Sequence, residues 1–86
     1  MGERWHVYIV QCADQTLYTG VAKDVETRVC QHNAGRGAKY TRGRRPVELV
    51  YTEPAEDRST ALRRECAIKK MPTAGKVSLI TTSSEK

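Results

Sequence analysis

Apolar, β-branched and aromatic residues crowd the stretch WHVYIVQC (5–12), which reads as a strand, and TLYTGV (16–21) reads as its partner. Between them ADQ (13–15) is a short turn. Asp24 is a suitable N-cap for a helix over about 25–34, and Gly35 ends it. GRGAKYTRGRRP (35–46) is rich in glycine and cations and reads as a loop. VELVYT (47–52) alternates apolar and polar positions and predicts a third strand. Asp57 or Ser59 then caps a helix running to Met71, stopped by Pro72. Thr73 caps a last short helix carrying Val77, Leu79 and Ile80, and TTSSEK (81–86) is expected to fray as a flexible tail. The order β-β-α-β-α-α predicts one α+β domain, a small sheet covered by helices, with its core in about residues 5–80.

With 86 residues the chain supports one thin core. Its net charge of +5 and pI near 9.4 favour a polyanionic partner, nucleic acid before an anionic membrane surface. No apolar run approaches the roughly 18 residues that a membrane span needs. The N-terminus is a poor signal peptide, and His6 stands where a myristoylation pattern needs Ser or Thr. Cys12, Cys30 and Cys66 are odd in number and widely spaced, neither a disulfide framework nor a zinc pattern. They fit reduced thiols in a cytoplasmic protein.

The candidate chemistry lies where polar residues intrude on the core. On the first helix Val25 and Val29 define the buried side, with Arg28 and His32 one turn apart along its edge. On the second helix Ala61, Leu62, Cys66 and Ile68 form the apolar sector, and Glu65 falls inside it. A carboxylate facing a core is costly unless paired or bound to metal, and Lys69, one turn on, offers a helix pair. Tyr8 and Tyr18 share a face of the hairpin if the turn has an odd number of residues, as a three-residue ADQ turn with Gln15 in the left-handed region would give, although glycine suits that place better; a two-residue turn would put them on opposite faces. Taken singly, each tyrosine reads as ordinary core packing. Together, two phenols, a guanidinium, an imidazole and a carboxylate on one side of the sheet are what phosphodiester hydrolysis requires.

The ordered series HVY (6–8), YTG (18–20), Arg28, His32 and ALRRECAIKK (61–70) resembles the GIY-YIG nuclease superfamily, and more closely its small single-domain YhbQ-like bacterial members. The resemblance spans about residues 5–80, including GAKYTRGRRPVELVY (37–51), and implies a three-stranded antiparallel sheet flanked by helices. It also implies a divalent-metal-dependent DNA endonuclease of low sequence specificity, acting in DNA repair or recombination. Carried onto this chain, Tyr18 or Tyr8 positions or deprotonates water with help from His32, and Arg28 binds the scissile phosphate. Glu65 is the only protein ligand to one Mg²⁺ or Mn²⁺, which accounts for a carboxylate facing inward without a partner. His6 and Val7 replace the Gly and Ile of the first motif, and Thr19 the Ile of the second. A family asparagine after the glutamate helix has no counterpart. That absence keeps an alternative open, a catalytically weak nucleic-acid-binding module of the same fold. Arg36, Lys39, Tyr40, Arg42, Arg44 and Arg45 crowd the basic loop and are candidate contacts to the DNA backbone, with Tyr40 able to stack on a base.

Overall fold

The computed structural model describes residues 4–84, with side chains as far as residue 82. Strands β1 (Trp5–Gln11), β2 (Leu17–Ala22) and β3 (Glu48–Ala55) form one antiparallel sheet in the order β2-β1-β3. Four helices cover it: α1 (Val25–Asn33), α2 (Lys39–Arg42), α3 (Arg58–Lys69) and α4 (Thr73–Ser84).

The expected α+β architecture is present, and its register follows from the first turn. The Cys12 N–H donates to the Thr16 carbonyl at 2.8 Å, the Gln15 N–H donates to the Cys12 carbonyl at 2.9 Å, and Gln15 adopts φ 74°. Asp14 Oδ1 accepts the Thr16 N–H at 3.1 Å and fixes the loop from its side chain. This three-residue turn pairs Tyr8 with Gly20 and Val10 with Tyr18, so both tyrosines project from one face.

The core lies on both sides of the sheet. Val7 and Ile9 pack with Ala61 and Ile68 of α3, and Leu79 and Ile80 of α4 lean on that cluster. Tyr8, Val10 and Cys12 face the other way, against Val25 and Val29 of α1 and the buried Val47. Burying both faces of the central strand makes WHVYIVQ a near-continuous apolar run.

Several boundaries differ from expectation. The basic stretch is not all loop: residues 39–42 close one helical turn, α2. Strand β3 runs three residues further than 52. Asp57, not Ser59, caps α3, its Oδ1 accepting the Thr60 N–H at 2.8 Å. Thr73 is the first residue of α4 and not its cap, since the Pro72 carbonyl accepts from Gly75 and Lys76. Helix α4 continues through Ser84, four residues into the segment expected to fray, and residues 85–86 lie outside the described part.

Helix α3 is also phased differently. Ala61 and Ile68 are fully buried, but Leu62 is 36% exposed and Cys66 is exposed. The line facing the sheet runs Ala61, Arg64 and Glu65, Ile68. Glu53 of β3 draws the helix to this phase, accepting from Arg64 Nε at 2.7 Å and from the Tyr51 hydroxyl at 2.5 Å.

Candidate active site

Helix α1 carries Arg28 and His32 because Asp24 starts it and Gly35 stops it. Asp24 accepts the Thr27 N–H at 3.1 Å and the Thr27 hydroxyl at 2.8 Å, which holds its carboxyl below the usual range. Gly35, at φ 82°, supplies the left-handed residue after the helix. His32, on the last turn, is fully buried. Its Nε2 lies 2.8 Å from the Tyr8 hydroxyl oxygen and its Nδ1 2.8 Å from Thr41 Oγ1 of α2.

Tyr8 is 1% exposed, and its hydroxyl lies over Gly20, where an added Cβ would sit 2.6 Å from Tyr8 Oη. The glycine of YTG therefore makes room for the phenol of the neighbouring strand. Burial raises the Tyr8 pKa above its ordinary value, and the nearby charges of Tyr18 and Glu65 add to the rise. A hydrogen bond from Arg28 pulls in the opposite direction. Arg28 Nη1 is itself held by Gln31 Oε1 at 2.9 Å. Burial, and then the Arg28 charge, lower the His32 pKa and favour a neutral imidazole.

The Tyr18 ring meets His32 edge-on with centroids 5.5 Å apart and stacks on Tyr40 at 5.8 Å. Glu65 arrives by a different route from the one expected. It belongs to α3, whose core residues pack on the opposite face of the sheet, and it joins the group across the outer strand β2. Lys69 Nζ lies 5.9 Å from the Tyr18 ring centroid and 3.2 Å from Glu65 Oε2. Glu65 thus has the Lys69 helix pair that the spacing offers, and does not stand without a partner as the family resemblance implies. Its side chain is 18% exposed against 51% for Lys69, so the lysine is the solvent-facing half of the pair.

Among the described residues no three His, Cys, Asp or Glu side chains gather in a metal-binding group. Glu65 offers one hard oxygen donor, and an ion held there would keep most of its shell as water and phosphate oxygen. Mg²⁺ accepts such a shell, whereas structural zinc does not. The donor set therefore fits a single hard divalent ion.

The six candidate backbone contacts divide into two groups. Arg44 Nε donates to Asp14 Oδ2 at 2.9 Å and Arg44 Nη1 to the Tyr40 carbonyl at 2.8 Å, while its guanidinium lies 4.1 Å from the Tyr40 ring centroid. Arg45 donates to the carbonyls of Arg42 and Asn33 at 3.0 and 3.3 Å. These two arginines brace the loop, and the Tyr40 ring is already engaged by Tyr18 and Arg44. Among the described residues no side-chain hydrogen bond or ion pair holds Arg36, Lys39 or Arg42, and all three are exposed. Asn33 completes the bracing. Its amide donates to the Val47 carbonyl at 3.1 Å and accepts the Val47 N–H at 2.7 Å, anchoring the start of the third strand to α1.

Gln31, Gly37, Ala38 and Thr41 were not singled out from the sequence. A Thr inside a run of glycines and cations carries no periodic signal, and its role depends on where α2 folds back.

Residues 4–76 match the family model described as the GIY-YIG catalytic domain. The chain belongs to the GIY-YIG family. A UPF0213 protein of Natronomonas pharaonis is 55% identical over 75 residues, covering 87% of this chain and 88% of its own length. One from Staphylococcus saprophyticus is 51% identical, covering 92% and 96%. The solution structure of a UPF0213 protein from Bacillus halodurans superposes with a TM-score of 0.62 at 38% identity, over 95% of this chain and 87% of the other. A solution structure from E. faecalis gives 0.65 at 34% identity, over 99% and 91%. The GIY-YIG assignment places the chain in a nuclease family with nucleic acid as the substrate class, and no helix among the described residues is long and apolar enough to cross a membrane.

Proposed function

We propose that this GIY-YIG domain is a divalent-metal-dependent DNA endonuclease that hydrolyses phosphodiester bonds with low sequence specificity, in the cytoplasm, during DNA repair or recombination. The observation that carries the reading is the convergence of Arg28, His32 and the Glu65 charge on the Tyr8 phenol.

In this reading Tyr8 as phenolate takes the proton from water, Arg28 holds the scissile phosphate, and Tyr18 orients the water or the phosphate from the next strand. The water oxygen forms the new P–O bond as the bond to the leaving sugar oxygen breaks. Glu65 would hold one Mg²⁺ or Mn²⁺, which when bound offsets charge on the leaving oxygen. Lys69 would release Glu65 to it. Arg36, Lys39 and Arg42 meet the DNA backbone, and Arg44 and Arg45 act chiefly by shaping the loop. Tyr40 contributes its hydroxyl to the phosphates.

The test is a panel of supercoiled, linear, single-stranded, nicked and branched DNA with Mg²⁺, Mn²⁺ or EDTA. The reading expects cutting that EDTA stops, and the substrate ranking then points to the pathway. Salt-sensitive binding without cutting in any metal would leave the catalytically weak binding module.

A further inference from the structure

We propose that Gly37, Ala38 and Thr41 clamp His32 in the tautomer that carries its proton on Nε2, so that His32 donates a hydrogen bond to the Tyr8 oxygen. Thr41 and His32 are then positioning residues for Tyr8. Their effect on cleavage rests on the nuclease reading above, whereas the tautomer itself does not.

The argument turns on which hydrogens can move. The Ala38 N–H is fixed by the backbone and points at His32 Nδ1 from 3.4 Å. A hydrogen on Nδ1 would oppose it, so Nδ1 is the accepting nitrogen. The Thr41 hydroxyl can turn. It lies 2.8 Å from Nδ1 and within reach to donate to the Ala38 carbonyl at 2.9 Å, and that carbonyl, with two lone pairs, also accepts the Thr41 N–H at 3.1 Å. Turning the hydroxyl proton from the carbonyl to Nδ1, where the fixed Ala38 N–H already points, gives that nitrogen a second donor and leaves the carbonyl still paired. Gly37 allows the approach: a Cβ there would lie 2.1 Å from Nδ1. With Nδ1 accepting, the single proton of a neutral imidazole sits on Nε2, 2.8 Å from Tyr8 Oη.

The direction of that last bond decides the division of labour. If Tyr8 donated to His32, the imidazole would be the proton acceptor and the phenol a relay. With His32 donating, the Tyr8 oxygen receives a hydrogen bond from His32 and sits beside the Arg28 guanidinium, whose influence lowers its pKa, and both stabilise the phenolate. The clamp thereby favours Tyr8 over Tyr18 as the group that takes the proton.

Long-range ¹H–¹⁵N NMR of labelled protein near neutral pH reads both ring nitrogens directly, and His6→Gln removes the one other histidine signal. The expected result is a protonated Nε2 and an unprotonated, hydrogen-bonded Nδ1 for His32. In Thr41→Val the Nδ1 resonance moves toward that of an unbonded imidazole nitrogen, and DNA cleavage falls about 10²-fold, the low end for a proton-transfer group put out of place. Thr41→Ser keeps the hydroxyl and restores both. A protonated Nδ1 in the unaltered chain overturns the proposal, even if Thr41→Val fails to fold. So does a folded Thr41→Val with wild-type ring shifts. If the protein cuts no DNA while Nε2 carries the proton, the clamp stands and the nuclease reading falls.

Discussion

At the scale of single residues, the site is built from side chains whose cost of burial is offset by particular partners. His32 shows this most directly. Its ordinary pKa is 6.5, and burial with the Arg28 charge lowers it in the folded state. Below the unfolded pKa the unfolded chain binds a proton that the native chain refuses, so the stability is present above that pH and lost as pH falls toward the folded pKa. The melting temperature is expected to drop as pH is lowered from neutral through the unfolded pKa, and His32→Gln should flatten that slope in thermal melts. Tyr8 has the opposite bias. Burial raises its pKa, so a reaction using its phenolate should quicken steadily from neutral pH toward about pH 10, which initial cleavage rates would register. Gly20→Ala brings a methyl within 2.6 Å of Tyr8 Oη. It should destabilise the fold by about 1–3 kcal/mol in denaturant melts and slow cleavage by displacing the phenol.

The elements explain which of these features the sequence discloses. The hairpin was legible from two apolar runs around a short turn, but its register was not, since the runs alone fit a two-residue or a three-residue turn; Gln15 in the left-handed conformation decides it. The caps at Asp24 and Asp57 were legible for a local reason, a short carboxylate three residues before an N–H that lacks a helical partner. Helix α2 was not. One turn of KYTR has no period to detect, and it is held by contacts from distant segments, His32 to Thr41 and Asp14 to Arg44. The phase of α3 was hidden likewise, since the Arg64 bond to Glu53 turns Leu62 and Cys66 outward. That Glu65 falls on the inward line could be read from the helix wheel; that its helix covers the other face of the sheet could not. Asp57→Ala should cost about 1 kcal/mol and loosen the helix that presents Glu65, visible as faster amide exchange in the first turn of α3.

For the whole molecule, the basic excess is spent unevenly. Of the cations around α2, Arg44 and Arg45 hold the loop together, and Arg36, Lys39 and Arg42 stand free of side-chain partners among the described residues. Replacing the latter three with Ala should weaken DNA binding across sequences and lower the slope of log affinity against log salt by up to about 3. Arg44→Ala should instead lower the melting temperature. The most direct test of the central claim, that Tyr8, Arg28 and Glu65 converge on one metal-assisted hydrolysis, is cleavage of the best DNA substrate by wild type and Glu65→Ala side by side in Mg²⁺ or Mn²⁺. The account predicts that Glu65→Ala still folds and binds DNA but loses metal-dependent cutting by about 10³-fold or more. Cutting by Glu65→Ala at the wild-type rate, with the same metal dependence, would contradict it.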